Sequence, residues 1–280
     1  MTTRAPILLE GAGAVRVVEC FLEGKADPAA CEDALVVTPD HVAVIDGMSS
    51  PLATADRSAS GRTFALAVAQ AVLTLPADAD ARQAVTWVTE ALAGIVAAHA
   101  GPAGAVAALY SRLRGEVWRV GDVHIAIDGR MLPGEKAVDV AYGQFRAAVN
   151  AARLAAGATL ADVLNQDPGQ EAAAELLRWQ HHLANREVAY GYGVLDGSHV
   201  PDRHIEVYPV PEGATVVLAT DGYLGPAPSL ALAERELADG LRRDPACIGE
   251  LQRMGKGLRG GQTHPDDRTY VRLVHPGGDR

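Results

Sequence analysis

The sequence predicts an α+β fold in which antiparallel sheets are covered by helices. Short β-branched runs come in groups, and helical stretches come in pairs. The two do not alternate as a doubly wound parallel sheet requires. The chain has 280 residues, 48% hydrophobic and 21% charged, which is enough for a sizeable core. No Pro/Ser-rich linker, long charge run or internal repeat divides it, so residues 1–280 are expected to form a single domain.

The elements follow from local pattern. Residues 15–20, 34–38 and 42–46 read as strands, with the turn pair Pro39-Asp40 joining the last two as a hairpin. Helical stretches follow at 61–75, stopped by Pro76, and at 81–99, entered from Asp78 and Asp80. Strands return at 105–109, 116–120 and 124–128, the last closing on Asp128-Gly129. Residues 138–185 are helical and Ala-rich, with a break at Asp167-Pro168-Gly169. Strands are expected at 188–195, 204–208 and 214–220, helices at 230–243 and 246–256, and a closing strand at 269–275.

Composition narrows the function classes. The formal charge of −10 argues against a nucleic-acid or membrane-surface partner, since both are held through clustered cations. The acidic surplus has two readings: solubility, or carboxylates gathered around a metal. Three widely spaced cysteines and no CxxC pair disfavour a disulfide framework or a zinc ribbon. The start of the chain lacks a signal-peptide pattern, and the most apolar window, 92–109, is broken by His99 and Pro102. A reduced, cytoplasmic protein is expected.

Acidic residues recur where apolar strands begin or stop: Glu32-Asp33, Asp46-Gly47, Gly121-Asp122, Asp221-Gly222 and Asp266-Asp267. One Asp-Gly after a strand is usually a turn. Five acidic strand ends in one chain place carboxylates at a common spot if the sheets bring those ends together. Like charges that close repel unless a cation neutralises them, and an all-oxygen donor set suits Mg2+ or Mn2+.

These motifs, in order, resemble the metal-dependent serine/threonine phosphatases of the PPM (PP2C) family, in its bacterial form. Cys31-Glu32-Asp33-Ala34, Val44-Ile45-Asp46-Gly47-Met48, Val120-Gly121-Asp122, Ala219-Thr220-Asp221-Gly222 and Asp266-Asp267-Arg268-Thr269 carry the likeness, which covers nearly the whole chain. It implies a four-layer α-β-β-α sandwich of two antiparallel sheets flanked by helix pairs. It implies two Mn2+ or Mg2+ ions bridged by Asp46, with the Gly47 carbonyl on one of them, Asp221 and Asp266 at the first, and Glu32 and Asp33 at the second, partly through water. Asp122 would hold a third. Asp46 and Asp221 would be the catalytic pair, the ions activating a shared water for in-line attack on phosphorus.

The sequence departs from that pattern where phosphate is bound. The family usually has an arginine shortly before the first acidic pair, where this sequence offers only Lys25, with Arg16 further back. Ser49-Ser50 replace a glycine pair, Val123 replaces a serine, and Asp267 replaces an asparagine. The segment from Gly255 to Gly261, with Lys256 and Arg259, is either an exposed loop or a basic flap that compensates for the missing arginine. Lys25, Lys256 and Arg259 are therefore the candidate substrate-binding residues. Gly11-Ala12-Gly13 reads as a turn, His181-His182 as solvated, and His264 as either structural or a proton donor. No motif supports a serine or cysteine nucleophile. The implied activity is hydrolysis of a phosphorylated protein, with a small phosphorylated metabolite as the alternative substrate. A catalytically weak binding module is the competing class, disfavoured by retention of Asp46, Asp221 and Asp266.

Overall fold

Two five-stranded antiparallel sheets carry the computed structural model, which describes residues 15–25, 30–49, 60–96, 102–259 and 262–277. In sheet order, the first holds β1 (Arg16–Glu23), β10 (Arg268–Val274), β9 (Thr215–Ala219), β6 (His124–Ile127) and β7 (Arg130–Leu132). The second holds β2 (Asp33–Val37), β3 (His41–Met48), β4 (Gly104–Ser111), β5 (Glu116–Val120) and β8 (Glu206–Pro209).

The central strands are apolar on both faces because each face meets a different core. In β3 and β4, Val42, Val44, Val106, Ala108 and Tyr110 point between the sheets. Their neighbours Ala43, Ile45, Ala105, Ala107 and Leu109 point to a helical layer. The period of two that normally separates core from solvent here separates two cores. In the first sheet Val216, Leu218, Val271 and Leu273 face inward, while Val217, Ala219 and Tyr270 face the outer layer.

The layer on the second sheet is α1 (Gly61–Leu73) and α2 (Ala81–Val96). Phe64, Ala65, Val68, Ala71 and Val72 recur at helical spacing and are buried, as are Ala84, Val85, Val88 and Leu92. Full burial of a side chain such as Phe64 or Leu92 contributes about 1.5–3 kcal/mol. Trp87 ties the pair together through a 3.1 Å bond from its indole N–H to the Ala71 carbonyl. On the first sheet lies α7 (Leu230–Arg243), which buries Ala233, Leu237 and Leu241.

Four expectations are corrected. Residues 246–256 form turns and a short 3-10 segment, because the Asp244 carboxylate accepts the backbone N–H groups of Ile248, Gly249 and Leu251 that a helix would use. Residues 188–195 form no strand. Tyr190 adopts a positive φ of 63°, and the Asn185 side chain takes both the N–H and the carbonyl of Val194, as a neighbouring strand would. The 138–185 stretch divides into α3 (Ala137–Ala155), α4 (Leu160–Gln166), α5 (Pro168–Ala172) and α6 (Ala174–Trp179). Asp167, at φ 45°, ends α4 and caps α5. Finally, the turn at Asp128-Gly129 leads into β7, too short to carry a period-two signal of its own. Among the described residues no helix is long and apolar enough to cross a membrane.

Candidate active site

Strand parity delivers the carboxylates to one end of the sandwich. Asp33 and Asp46 are direct partners in the β2–β3 register. Asp46 continues the inward row of Val42 and Val44, and Thr220 continues that of Val216 and Leu218 from the opposite sheet. Thr269 does the same for Val271 and Leu273. The hydroxyls of Thr220 and Thr269 both donate to Asp33 Oδ2 at 2.8 Å, joining the sheets through one buried carboxylate. Burial holds the Asp33 carboxyl well above its ordinary range, against the pull of the two hydroxyls.

Asp46 and Asp221 open on a cleft of about 1330 Å³, also lined by Glu32, Gly47, Asp122, Asp266, Lys25, Lys136, Lys256 and Arg259. Among the described residues no hydrogen bond or ion pair from protein reaches either carboxylate. Desolvation raises the Asp46 carboxyl well above its usual value, and repulsion from Asp221, Asp33, Asp266 and Asp122 adds to it. Asp221 meets the water of the cleft, yet it too is raised, first by desolvation and then by Asp266 and Asp122. Two unpaired, mutually repelling carboxylates offering only oxygen are the donor chemistry of a hard divalent cation.

The remaining acids have partners. Lys25 Nζ lies 3.1 Å from Asp266, 3.4 Å from Asp267 and 3.9 Å from Glu32. Lys256 pairs with the other oxygen of Asp266. Burial alone would raise Asp266, but the Lys256 and Lys25 ammonium groups hold it below the usual carboxylate range. Asp122 bonds Lys136 Nζ at 2.9 Å. Among the described residues no three His, Cys, Asp or Glu side chains close around a common point. Glu32, Asp46, Asp122, Asp221 and Asp266 share a cleft that buried Asp33 does not line, and ammonium groups stand beside several of them.

Glycine at position 47 has a packing reason. A Cβ there would lie 2.3 Å from the Gly61 carbonyl oxygen at the start of α1. The Ser49 hydroxyl secures the same junction, accepting the Gly61 N–H at 2.8 Å and donating to Glu32. Gly222 likewise admits the Asp267 carbonyl, which a Cβ would meet at 1.9 Å, so the loops bearing Asp221 and Asp266 lie together.

Asp267 explains its own departure from asparagine. Its two oxygens accept the backbone N–H groups of Lys25 at 2.8 Å and Glu32 at 3.0 Å. A carboxylate serves both, whereas an amide offers one acceptor and turns a donor toward the other N–H. Asp267→Asn is expected to cost about 1–3 kcal/mol, seen as a lower thermal midpoint. An unchanged midpoint would refute the clamp.

Of the other predicted residues, Arg259 bonds Gln170 at 3.1 Å on the cleft rim. His264 is buried between Thr263 Oγ1 and the Gly24 carbonyl, and desolvation, then Arg268, lowers its pKa, which favours the structural reading. His181 and His182 lie beside exposed Trp179, His182 stacked on its ring. Gly11-Ala12-Gly13, Ser50 and Gly260-Gly261 lie outside the described residues. Sequence reasoning named Thr220, Thr269 and Ser49 only as parts of motifs, without a role, and missed Gly61 and Lys136. The threonines adjoin the acidic motifs and were within reach of a parity argument. Lys136, beyond the β6–β7 hairpin, carries no spacing signal.

The architecture has counterparts among solved structures. The catalytic domain of the serine/threonine protein phosphatase PstP, in complex with two manganese ions, superposes with a TM-score of 0.50 at 15% identity, over 93% of this chain and 98% of that one. PstP/Ppp of Mycobacterium tuberculosis gives 0.50 at 16%, over 94% and 99%. The PPM phosphatase MsPP of Mycobacterium smegmatis, in complex with cacodylate, gives 0.50 at 15%, over 95% and 100%. The fold is that of the PPM phosphatases. No family model and no curated protein matches the sequence. At this identity the PPM likeness is one of architecture, and the chemistry rests on the residues.

Proposed function

We propose that this chain is a metal-dependent phosphomonoester hydrolase, and specifically a protein serine/threonine phosphatase. One observation carries the reading. Asp46 and Asp221, brought from different sheets to one cleft, have raised carboxyls and no direct hydrogen bond or ion pair among the described residues. Their oxygen donors fit Mn2+ or Mg2+, with Gly47, Asp266, Glu32 and Asp33 around them as further candidate ligands. Bound, such ions supply Lewis acidity toward phosphate oxygens and acidify water. The chain's own residues hold and orient. Thr220 and Thr269 fix Asp33, and Ser49 fixes Glu32. Lys25 and Lys256 bring positive charge to the cleft that a phosphate dianion requires. The PPM fold across more than nine-tenths of the chain supports one domain over residues 1–280. Three buried cysteines outside any disulfide among the described residues are compatible with a cytoplasmic setting.

Hydrolysis of an aryl phosphate with and without Mn2+ tests the reaction, and metal-stimulated turnover is expected. Absence of turnover at millimolar Mn2+ would remove the enzyme reading. A phosphothreonine peptide measured against a panel of phosphorylated metabolites tests the substrate class. A higher kcat/KM for the peptide is expected, and preference for a metabolite would reassign the substrate while keeping the chemistry.

A further inference from the structure

Lys136 is the least exposed cation of the cleft, with its side chain 9% accessible at the entrance to α3. Its ammonium is enclosed by four groups. Asp122 Oδ1 lies at 2.9 Å and Asp139 Oδ2 at 3.6 Å. The Met48 thioether sulfur is 3.3 Å away, and the Tyr192 ring centroid is 5.5 Å away. Burial works against the charge, yet Asp122 and Asp139 outweigh it and hold the ammonium well above its ordinary pKa.

That enclosure discriminates between kinds of cation. A hydrated divalent ion such as Mg2+ or Mn2+ asks for six oxygen donors and retains waters. Here two of the four neighbours are a thioether and an aromatic face, which suit a compact monovalent ammonium. The seat is also full, because Nζ already occupies the position beside Asp122 that an ion would need. The donor chemistry that fits a divalent ion at Asp46 and Asp221 therefore does not extend to Asp122.

We propose that Lys136 is a tethered cation standing in place of a third divalent ion at Asp122, so that the cleft takes metal only around Asp46 and Asp221. The inference rests on the two-ion reading above. Its consequence is a positive charge, close enough to act on Asp221, that is present whatever the metal concentration. A third-ion dependence is thereby replaced by a covalent part of the chain.

Counting bound Mn2+ by equilibrium dialysis of the full chain at millimolar metal tests it without reference to activity. The wild type is expected to retain two equivalents, Lys136→Gln three, and the double variant Lys136→Gln/Asp122→Asn two. Three equivalents in the wild type, or no gain in a folded Lys136→Gln, overturns the proposal. If the wild type binds none while Lys136→Gln gains one, the two-ion reading fails and the role of Lys136 stands. No binding in either overturns both. Should Lys136→Gln not fold, Asp122→Asn in the wild-type background decides: an unchanged count is expected, and loss of one equivalent overturns the proposal.

Discussion

Asp46→Asn and Asp221→Asn are each expected to lower Mn2+-stimulated aryl phosphate turnover by about 100- to 1000-fold, mainly in kcat. An asparagine keeps the shape of either side chain and one of its oxygens, but loses the charge that a divalent ion needs. Cation stabilisation of the transition state is worth several kcal/mol, and each 1.36 kcal/mol is tenfold in rate. Neither substitution should unfold the protein, since neither carboxylate accepts a hydrogen bond from the described residues. The check is steady-state kinetics beside thermal unfolding of the same samples. Full activity in either variant would refute the assignment. Lost activity with a collapsed melting transition would assign the effect to folding instead.

Much of this architecture is legible in the sequence because the strands are short, continuous and apolar, and the acids interrupt them at their ends. Val42 to Ile45 followed by Asp46-Gly47 is both a strand and a site, and its partner across the hairpin, Asp33, is equally exposed to reading. What escapes the sequence is what answers those charges. Lys136 reaches Asp122 from beyond a hairpin, and Thr220 and Thr269 meet at Asp33 only because two sheets close on one another. Two of the misread segments share a different cause. At 244–251 and 185–194 a single Asp or Asn side chain satisfies backbone groups that regular structure would have claimed. Hydrophobic period alone carries no trace of that competition.

Without metal, the folded state should suffer from its own site as pH rises. Asp33, Asp46 and Asp221 have carboxyls raised above the ordinary 3.8 in the fold. Below that value they are protonated in both states and contribute no penalty. Above it the unfolded chain releases protons that the folded chain still holds, so stability falls until the raised folded values are passed. Asp266 acts in the opposite sense, its lowered carboxyl contributing stability above 3.8 that is lost as pH falls through the folded value. The contribution of Asp46 is isolated by comparing Asp46→Asn with the wild type in chelator. The variant's midpoint should exceed the wild type's by a margin that widens from about pH 4 toward neutrality, where relief of one opposed like-charge pair is worth about 1 kcal/mol or 2–4 °C. Mn2+ should reverse the order. Ions that bind only the folded cluster stabilise the wild type by about 2.7 kcal/mol at a hundredfold excess over Kd, and the variant by much less. A variant no more stable than the wild type in chelator at neutral pH would mean that Asp46 is not held under repulsion.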